Sequence, residues 1–285
     1  MEKVTDVETF LKQLPRLDEK MGGNIFYRGQ SSTDYNLTPS VLRGNMKFKE
    51  HEIYNKIMTE CAHEFDECKL HNEILSKMQH YGVPTRLFDV TTNALVALYF
   101  ACEGKKNVDG VVYVIKTNKS KIKQYDSDAV SILSSLPRFN YEEKKLMLEL
   151  AKKSLEIADG QKIDNFNSQK IIKRLLHEIK KEKPAFENII NPEDLLKNFF
   201  FIPRKANARI IRQSGAFIIF GLGKDAIEIE EHFSDSNRGN SESYKIIIKH
   251  SSKKGIIDQL SCFGISKATL HPELYKVAEY IKEKY

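Results

Sequence analysis

The sequence predicts an α+β domain built on a largely antiparallel mixed sheet with packed helices and a helical insertion. Three observations carry this. Short runs rich in β-branched and aromatic residues, "NIFYRGQ", "DGVVYVIK" and "YKIIIKH", stand toward the two ends of the chain, and such runs suit a pleated, half-buried surface. Between them, residues 119–198 are Lys- and Glu-rich with helical periodicity,. The stretch "ALVALYFAC" is apolar nearly all round, as a helix buried on every side must be,. Strands gathered about a helical middle give the α+β class.

Taken in order, residues 4–20 read as an amphipathic opening helix, with Val7, Phe10, Leu11 and Leu14 at helical spacing and Pro15 ending it,. "NIFYRGQ" is a strand expected to break at Gly29. From Phe48 to Met78 the set Tyr54, Met58, Cys61 and Phe65 recurs every three to four residues and predicts one long helix packed on a single face,. His51, His63 and His71 lie on it as core polar residues or as ligands. Thr91 or Thr92 is placed to cap the next helix, Asn93 to Cys102. "DGVVYVIK" follows as a strand, then the insertion, broken near Pro137, Gly160 and Pro184. "ARIIRQSGAFIIFG", "DAIEIEEHF" and "YKIIIKH" read as strands with turns between them. Two helical stretches close the chain, the second with Pro272 at its first turn,. The whole, 1–285, reads as one domain.

The 285 residues with 41% hydrophobic content suffice for a core,. Lys+Arg 45 against Asp+Glu 39 gives +6, a mild bias toward anionic partners such as phosphates, nucleotides or RNA,. No basic run is interleaved with aromatics as a single-strand groove requires. Cys61, Cys68, Cys102 and Cys262 contain no CxxC pair, so they read as reduced core thiols rather than a zinc site or disulfide framework,. The acidic N-terminus lacks a signal-peptide pattern and no run approaches the roughly 18 apolar residues of a membrane span. No membrane association and a cytoplasmic address are expected. P-loop, GxSxG, HExxH and GxGxxG signatures are absent.

Three constellations carry polar chemistry. In "MQHYGVPTRLFDVTTN", Pro84 forces Val83 to be extended and Gly82 permits a sharp approach. Gln79, His80, Tyr81, Thr85, Arg86 and Asp89 are thereby held rigidly against an apolar helix, either lining a pocket or pairing locally, Arg86 with Asp89 and His80 with buried carbonyls. In "FYRGQ", Arg28 puts a planar five-donor fork at a strand end, fit for phosphate or carboxylate or for bracing a buried Asp. In "NARIIRQSGAFIIFG", a strand places Ile211, Gln213, Gly215 and Phe217 on one face, with Gln213 either in a site or satisfied in the core. Glu228 and Glu230 share a strand face, as a pair for acid chemistry or as ordinary hairpin alternation.

"FYRGQ", "PSVLR", "QHYGVPTRLFDVTTNALVALYFACEG", "RIIRQSGAFIIFG" and "FGISKATLHPEL" together resemble, in that order, the FRG domain, named for an aromatic-Arg-Gly motif. The order of an arginine on the first core strand, a Thr-rich turn feeding "ALYFA" and a polar residue on a late strand is similar to the ADP-ribosyltransferase superfamily. That resemblance implies an ADP-ribosyltransferase-like fold and NAD as co-substrate. It also implies a nucleotide site modifying a protein or nucleic acid, in the setting of a toxin or a phage-defence effector.

Carried onto this chain, Arg28 is the phosphate or ribose clamp, flanked by Tyr27, Gly29 and Gln30. Thr91 and Thr92 are the bracing turn, with Asn93 beside them. Tyr99 and Phe100 are stacking walls, and Gln79, Tyr81, Thr85, Arg86 and Arg209 complete the binding set. Gln213 stands where the superfamily has its acid, and an amide stabilises an oxocarbenium-like charge less well. The acid is then Glu228 or Glu230, or Asp89 with His80 as proton acceptor. Otherwise the chain is a non-catalytic nucleotide- or RNA-binding module.

Overall fold

A computed structural model of the chain describes residues 4–14, 24–157, 159–205, 208–223 and 243–284. The strands are β1 (Asn24–Gln30), β2 (Leu87–Thr91), β3 (Gly110–Thr117), β4 (Ile122–Gln124), β5 (Phe199–Ile202), β6 (Gly215–Ile219) and β7 (Tyr244–Ile248). They make one open seven-stranded sheet in the order β4-β5-β6-β2-β1-β3-β7. Its described pairs are antiparallel except β4 with β5. The helices before the insertion are α1 (Val7–Leu11), α2 (Glu50–Glu60), α3 (His71–His80) and α4 (Ala94–Cys102). Within it lie α5 (Asp128–Ser134), α6 (Tyr141–Ser154), α7 (Asp159–Ser168), α8 (Lys170–Lys180) and α9 (Pro192–Leu196). After it come α10 (Ala208–Arg212), α11 (Lys253–Cys262), α12 (Lys267–Leu270) and α13 (Leu274–Lys284).

Strand β1 does not break at Gly29; it pairs with β3 from Asn24↔Thr117 to Gln30↔Val111. The glycine is there because α4 crosses β1 at this point: a Cβ on Gly29 would stand 1.8 Å from the carbonyl oxygen of Ala97. Helix α4 is capped by neither threonine. Asn93 Oδ1 accepts from the backbone N–H groups of Leu95 (2.9 Å) and Val96 (3.4 Å), while Thr91 belongs to β2.

Several other expectations shift. The opening helix is a single turn-and-a-half, Val7–Leu11, capped by Asp6, and Val4 instead bridges to Ile248 of β7. The long helix expected over Phe48 to Met78 is two helices. Helix α2 ends at Glu60, and α3 starts afresh where the Glu73 carboxylate accepts the backbone N–H groups of Lys69 (2.8 Å) and Leu70 (3.2 Å). The insertion is helical but contributes β4, and the phenylalanine-rich β5, unread as a strand, follows it at once. "ARIIR" is helix α10, not strand: Gln213 N–H donates to Arg209 C=O (2.9 Å), and Ser214, at φ 47, turns the chain before β6 begins. "DAIEIEEHF", with Glu228 and Glu230, lies outside the described residues. Pro272 precedes α13, which begins at Leu274. Cys102 is buried, Cys61 and Cys68 are half-buried, and Cys262 is exposed rather than a core thiol.

Strand alternation explains the layout of the core. One sheet face carries two apolar clusters. At one end Leu87, Phe199, Phe201, Phe217 and Ile219 pack with α3 and the insertion helices. At the other, Tyr27, Val112 and Val114 pack with α4 and α11. The opposite face gathers Phe26, Phe88, Val90, Tyr113 and Ile218. Between the two clusters of the first face the sheet itself is loose, because β1 and β2 share a single residue pair, Tyr27↔Thr91. Among the described residues no helix is long and apolar enough to cross a membrane.

Candidate functional site

A cleft of about 110 Å³ opens where these two clusters separate, over the β1/β2 gap. Its floor is Tyr27, Arg28 and Gly29 of β1, Asp89 to Thr91 of β2 and the start of β6 at Gly215. Helix α3 presents Ser76, Gln79 and His80, which share a face at spacings of three and four,. Helix α10 presents Arg209 and Ile210, the turn after it presents Gln213, and α4 adds Phe100. The segments 27–30, 79–93 and 209–217, far apart in sequence, therefore meet around one cavity.

Arg28 sits in the strand gap. Its guanidinium lies 4.7 Å from the centre of the Phe88 ring, on the face away from α4, as alternation requires,. Its NH1 donates to the main-chain carbonyl of Asp89 (2.9 Å) and lies 3.4 Å from the Asp89 carboxylate, so the arginine ties β1 to β2 where the ladder has lapsed. Its Nε is buried and has no acceptor among the described residues.

On the helical rim, His80 Nε2 stands 3.3 Å from the Glu273 carboxylate, and Arg209 NH1 is 3.8 Å from the same oxygen. Burial, with Arg209 adding to it and Glu273 opposing, holds the His80 imidazole below its ordinary value, so it is neutral at physiological pH,. Glu273 stands behind His80 and Arg209 and is not among the residues that line the cleft. Both its oxygens are buried and accept no hydrogen bond among the described residues. The charges about the cleft balance: Arg28 and Arg209 against Asp89 and Glu273.

The turn at the end of β2 is bound into the site. Thr91 Oγ1 donates to Gln213 C=O (2.7 Å) and Thr92 N–H to Ser214 C=O (3.1 Å), while Gln213 Nε2 donates to Leu270 C=O (3.1 Å). Gln213 is thus held through its main-chain carbonyl and its side-chain NH2.

Other candidates lie apart from the cleft, each for a visible reason. Arg86 is 1% exposed and forms a fork with Glu50, Nε to Oε1 2.8 Å and NH2 to Oε2 2.5 Å, rather than pairing with Asp89. Thr85 is buried and donates to Gln79 Oε1, fixing that side chain from behind. Tyr81 is 66% exposed beyond the end of α3. Gln30 is buried past the cleft, and Asn93 is spent on capping α4. Tyr99 is no stacking wall: it is buried in the α4 cluster with its hydroxyl donating to Glu103 (3.2 Å), and Phe100 faces the cleft instead. His51 Nδ1 donates to Pro137 C=O (3.2 Å), and His71 lies in the core beside Ser135 (2.9 Å). Among the described residues no group of three or more His, Cys, Asp or Glu could hold a metal ion.

Residues 23–110 match the FRG domain family. That span carries β1, α2, α3, β2 and α4, and with them Arg28, Gln79, His80, Asp89 and Thr91; Arg209, Gln213 and Glu273 lie beyond it. No curated protein and no solved structure matches the chain.

Proposed function

We propose that the β1/β2 cleft binds a phosphate-bearing nucleotide and that the chain uses NAD there as an ADP-ribosyltransferase-like enzyme, modifying a protein or nucleic acid. One observation carries this reading. The Arg28 side chain is 25% exposed and its buried Nε has no acceptor among the described residues; it is set where two strands part and backed by an aromatic ring, and a planar multi-donor cation so placed suits a phosphate oxygen. Ligand pockets for drug-sized molecules run to about 300–1,000 Å³. The cleft's roughly 110 Å³ therefore takes one end of a dinucleotide, the remainder lying across the rim. His80, neutral and on the rim, is the group to accept a proton from the incoming nucleophile. The brace of Thr91 on the Gln213 turn keeps the two walls at fixed separation, which is what orientation of a bound group needs.

A second reading, a non-catalytic module for a nucleotide or an RNA end, is favoured by Gln213, whose side-chain NH2 is taken up by Leu270 C=O and whose main chain is braced by Thr91. The two are separated by incubating purified protein with labelled NAD and cell extract. Transfer of label or release of nicotinamide supports the enzyme. Nucleotide binding by calorimetry without either leaves the module, and no binding of NAD or other nucleotides sinks both.

A further inference from the structure

We infer that Gln79 is the residue by which the cleft selects the ring of its ligand: its side-chain NH2, held as a fixed donor, receives a ring carbonyl and turns away a ring amine. This rests on the cleft being a nucleotide site and adds which rings enter it. Gln79 lies in the last turn of α3, is half-buried and lines the cleft. A glutamine amide can turn either end outward, but here a chain of hydrogen bonds settles the choice. Leu87 N–H donates to Thr85 Oγ1 (3.2 Å), and the Thr85 hydroxyl in turn donates to Gln79 Oε1. Thr85 is 2% exposed, and Gln79 Oε1 is the acceptor its hydroxyl finds among the described residues. Were the amide flipped, Thr85 Oγ1 would accept twice and its buried proton would go without an acceptor, which native interiors avoid. Nε2 is therefore the end turned to the cleft, and it makes no hydrogen bond among the described residues.

The lock is itself fixed from outside the cleft. Thr85 N–H donates to Ser40 Oγ (3.3 Å) and Thr85 C=O accepts from Val41 N–H (3.4 Å), so Ser40 and Val41 hold the threonine that holds the glutamine. A donor fixed before the ligand arrives loses little freedom on binding. A ligand without an acceptor leaves that donor unpaired, which is how one hydrogen bond becomes a preference. Two observations give the nature of the acceptor. The guanidinium groups that line the cleft, Arg28 and Arg209, suit a phosphate, so the uncharged amide is left for an uncharged acceptor,. Tyr27, Phe100 and Phe217 line the same cleft, and aromatic side chains suit a flat ring,. The chemical class that fits is a nucleotide whose ring bears a carbonyl, as an oxopurine, a uracil or a ring carboxamide does, over one that bears an amine in its place.

The test is calorimetric titration of the full-length chain with IMP and AMP, which carry a carbonyl and an amine at the same ring position. Wild type, Gln79→Glu and Thr85→Val are compared, folding being checked by thermal unfolding. Wild type is expected to bind IMP about tenfold more tightly than AMP, the scale of one hydrogen bond. In Q79E one carboxylate oxygen keeps the Thr85 bond and the other is an acceptor, so the ratio should invert in favour of AMP. Repulsion of the phosphate by the new charge acts on both probes alike and leaves the ratio untouched. T85V removes a hydroxyl that touches neither probe, and it should bring the ratio toward one because Gln79 is released to turn either end outward. Equal affinity of wild type for the two probes, or a preference for AMP, overturns the inference and leaves the nucleotide site standing. A Q79E that weakens both probes alike also overturns it, since Gln79 would then serve the phosphate. If wild type binds neither probe, the nucleotide reading falls and this one with it. Should a variant fail to fold, the wild-type ratio and the other variant still decide.

Discussion

Arg86, immediately before β2, and Glu50 at the start of α2 form a forked ion pair in the interior, at 2.8 and 2.5 Å, with Lys144 of the insertion helix α6 closing on the same carboxylate at 2.6 Å. The triad binds insertion to sheet, and Arg86 NH1 also donates to Phe220 C=O (2.8 Å) beyond β6. Burial alone would raise the Glu50 carboxyl, yet Arg86 and then Lys144 outweigh it and hold it at about 2. Lys144 itself is pushed below the ordinary lysine value, first by burial, with Glu50 opposing. Removing one member leaves an uncompensated buried charge, so Glu50→Ala should destabilise the fold by about 3–5 kcal/mol in urea titration. A loss under about 1 kcal/mol would mean water reaches the pair.

The same pair sets an acid limit. Its folded value of about 2 lies below the ordinary 4.5, so the Glu50 contribution is complete above 4.5 and disappears as pH falls through about 2,. Wild type should lose stability across that window, and Glu50→Gln, weaker at neutral pH, should lose less of what remains. Urea midpoints taken between the two pH values check the slope; equal slopes for the two proteins would exclude Glu50 as the source.

Gly29→Ala tests the crossing of α4 over β1. The added methyl has to displace the Ala97 carbonyl, main chain that cannot swing aside. Overpacking of this kind costs about 1–3 kcal/mol and more where backbone must move, so the variant should be destabilised by at least about 3 kcal/mol or fail to accumulate. The clash also lies at the cleft floor, so any folded fraction should bind nucleotide poorly, as calorimetry on the soluble protein would register.

How far the sequence announced this depends on the range of the determining interactions. β1, α4 and β3 are written in local pattern, apolar alternation and an all-round apolar helix, and they form where read, except that β1 runs on through Gly29 and Asn93 rather than a threonine caps α4. Where a tertiary partner decides, local pattern misleads. "ARIIRQSG" has strand-like isoleucines, but Ser214 in the left-handed region ends a helix there and aligns Arg209 with Gln213 on the cleft. The partner of Arg86 stands 36 residues upstream in an unremarkable helix start, and no local signal distinguishes Glu50 from other surface glutamates. Glu273 is hidden for the same reason: it meets His80 and Arg209 only because the segment before it is fastened to the Gln213 turn. The convergence of the three polar segments was legible because each set polar side chains directly against an apolar wall.

Arg28→Lys discriminates a phosphate clamp from a strand brace. Lysine keeps the charge and reaches one acceptor, so it can still meet the Asp89 carbonyl, but it lacks the planar fork. If Arg28 grips phosphate, R28K should fold within about 1 kcal/mol of wild type and bind nucleotide about tenfold or more weakly. A variant that unfolds readily yet binds nucleotide normally would show that the arginine serves only to hold β1 to β2.

His71 gives a pH signature separate from that of Glu50. The ring is buried beside Ser135, with Glu182 near it and Arg138 and Lys181 adding repulsion, and burial foremost lowers it from 6.5 to about 3. The folded chain therefore keeps His71 neutral while the unfolded chain takes up a proton below 6.5. Stability should fall as pH drops from 6.5 toward 3, because the unfolded state gains the proton first,. Glu182, raised by burial above the ordinary 4.5, works in the opposite sense and overlaps this window from its lower side,. The His71 contribution within the window from 6.5 down to 4.5 is therefore isolated by comparing wild type with a variant in which only the ring is removed. His71→Gln, which retains a hydrogen-bonding group for Ser135 without a titrating ring, should flatten the dependence of the urea midpoint on pH across that window. A slope identical to wild type would mean that His71 is protonated in the folded core, and that the Glu182 carboxylate has claimed it as an ion pair.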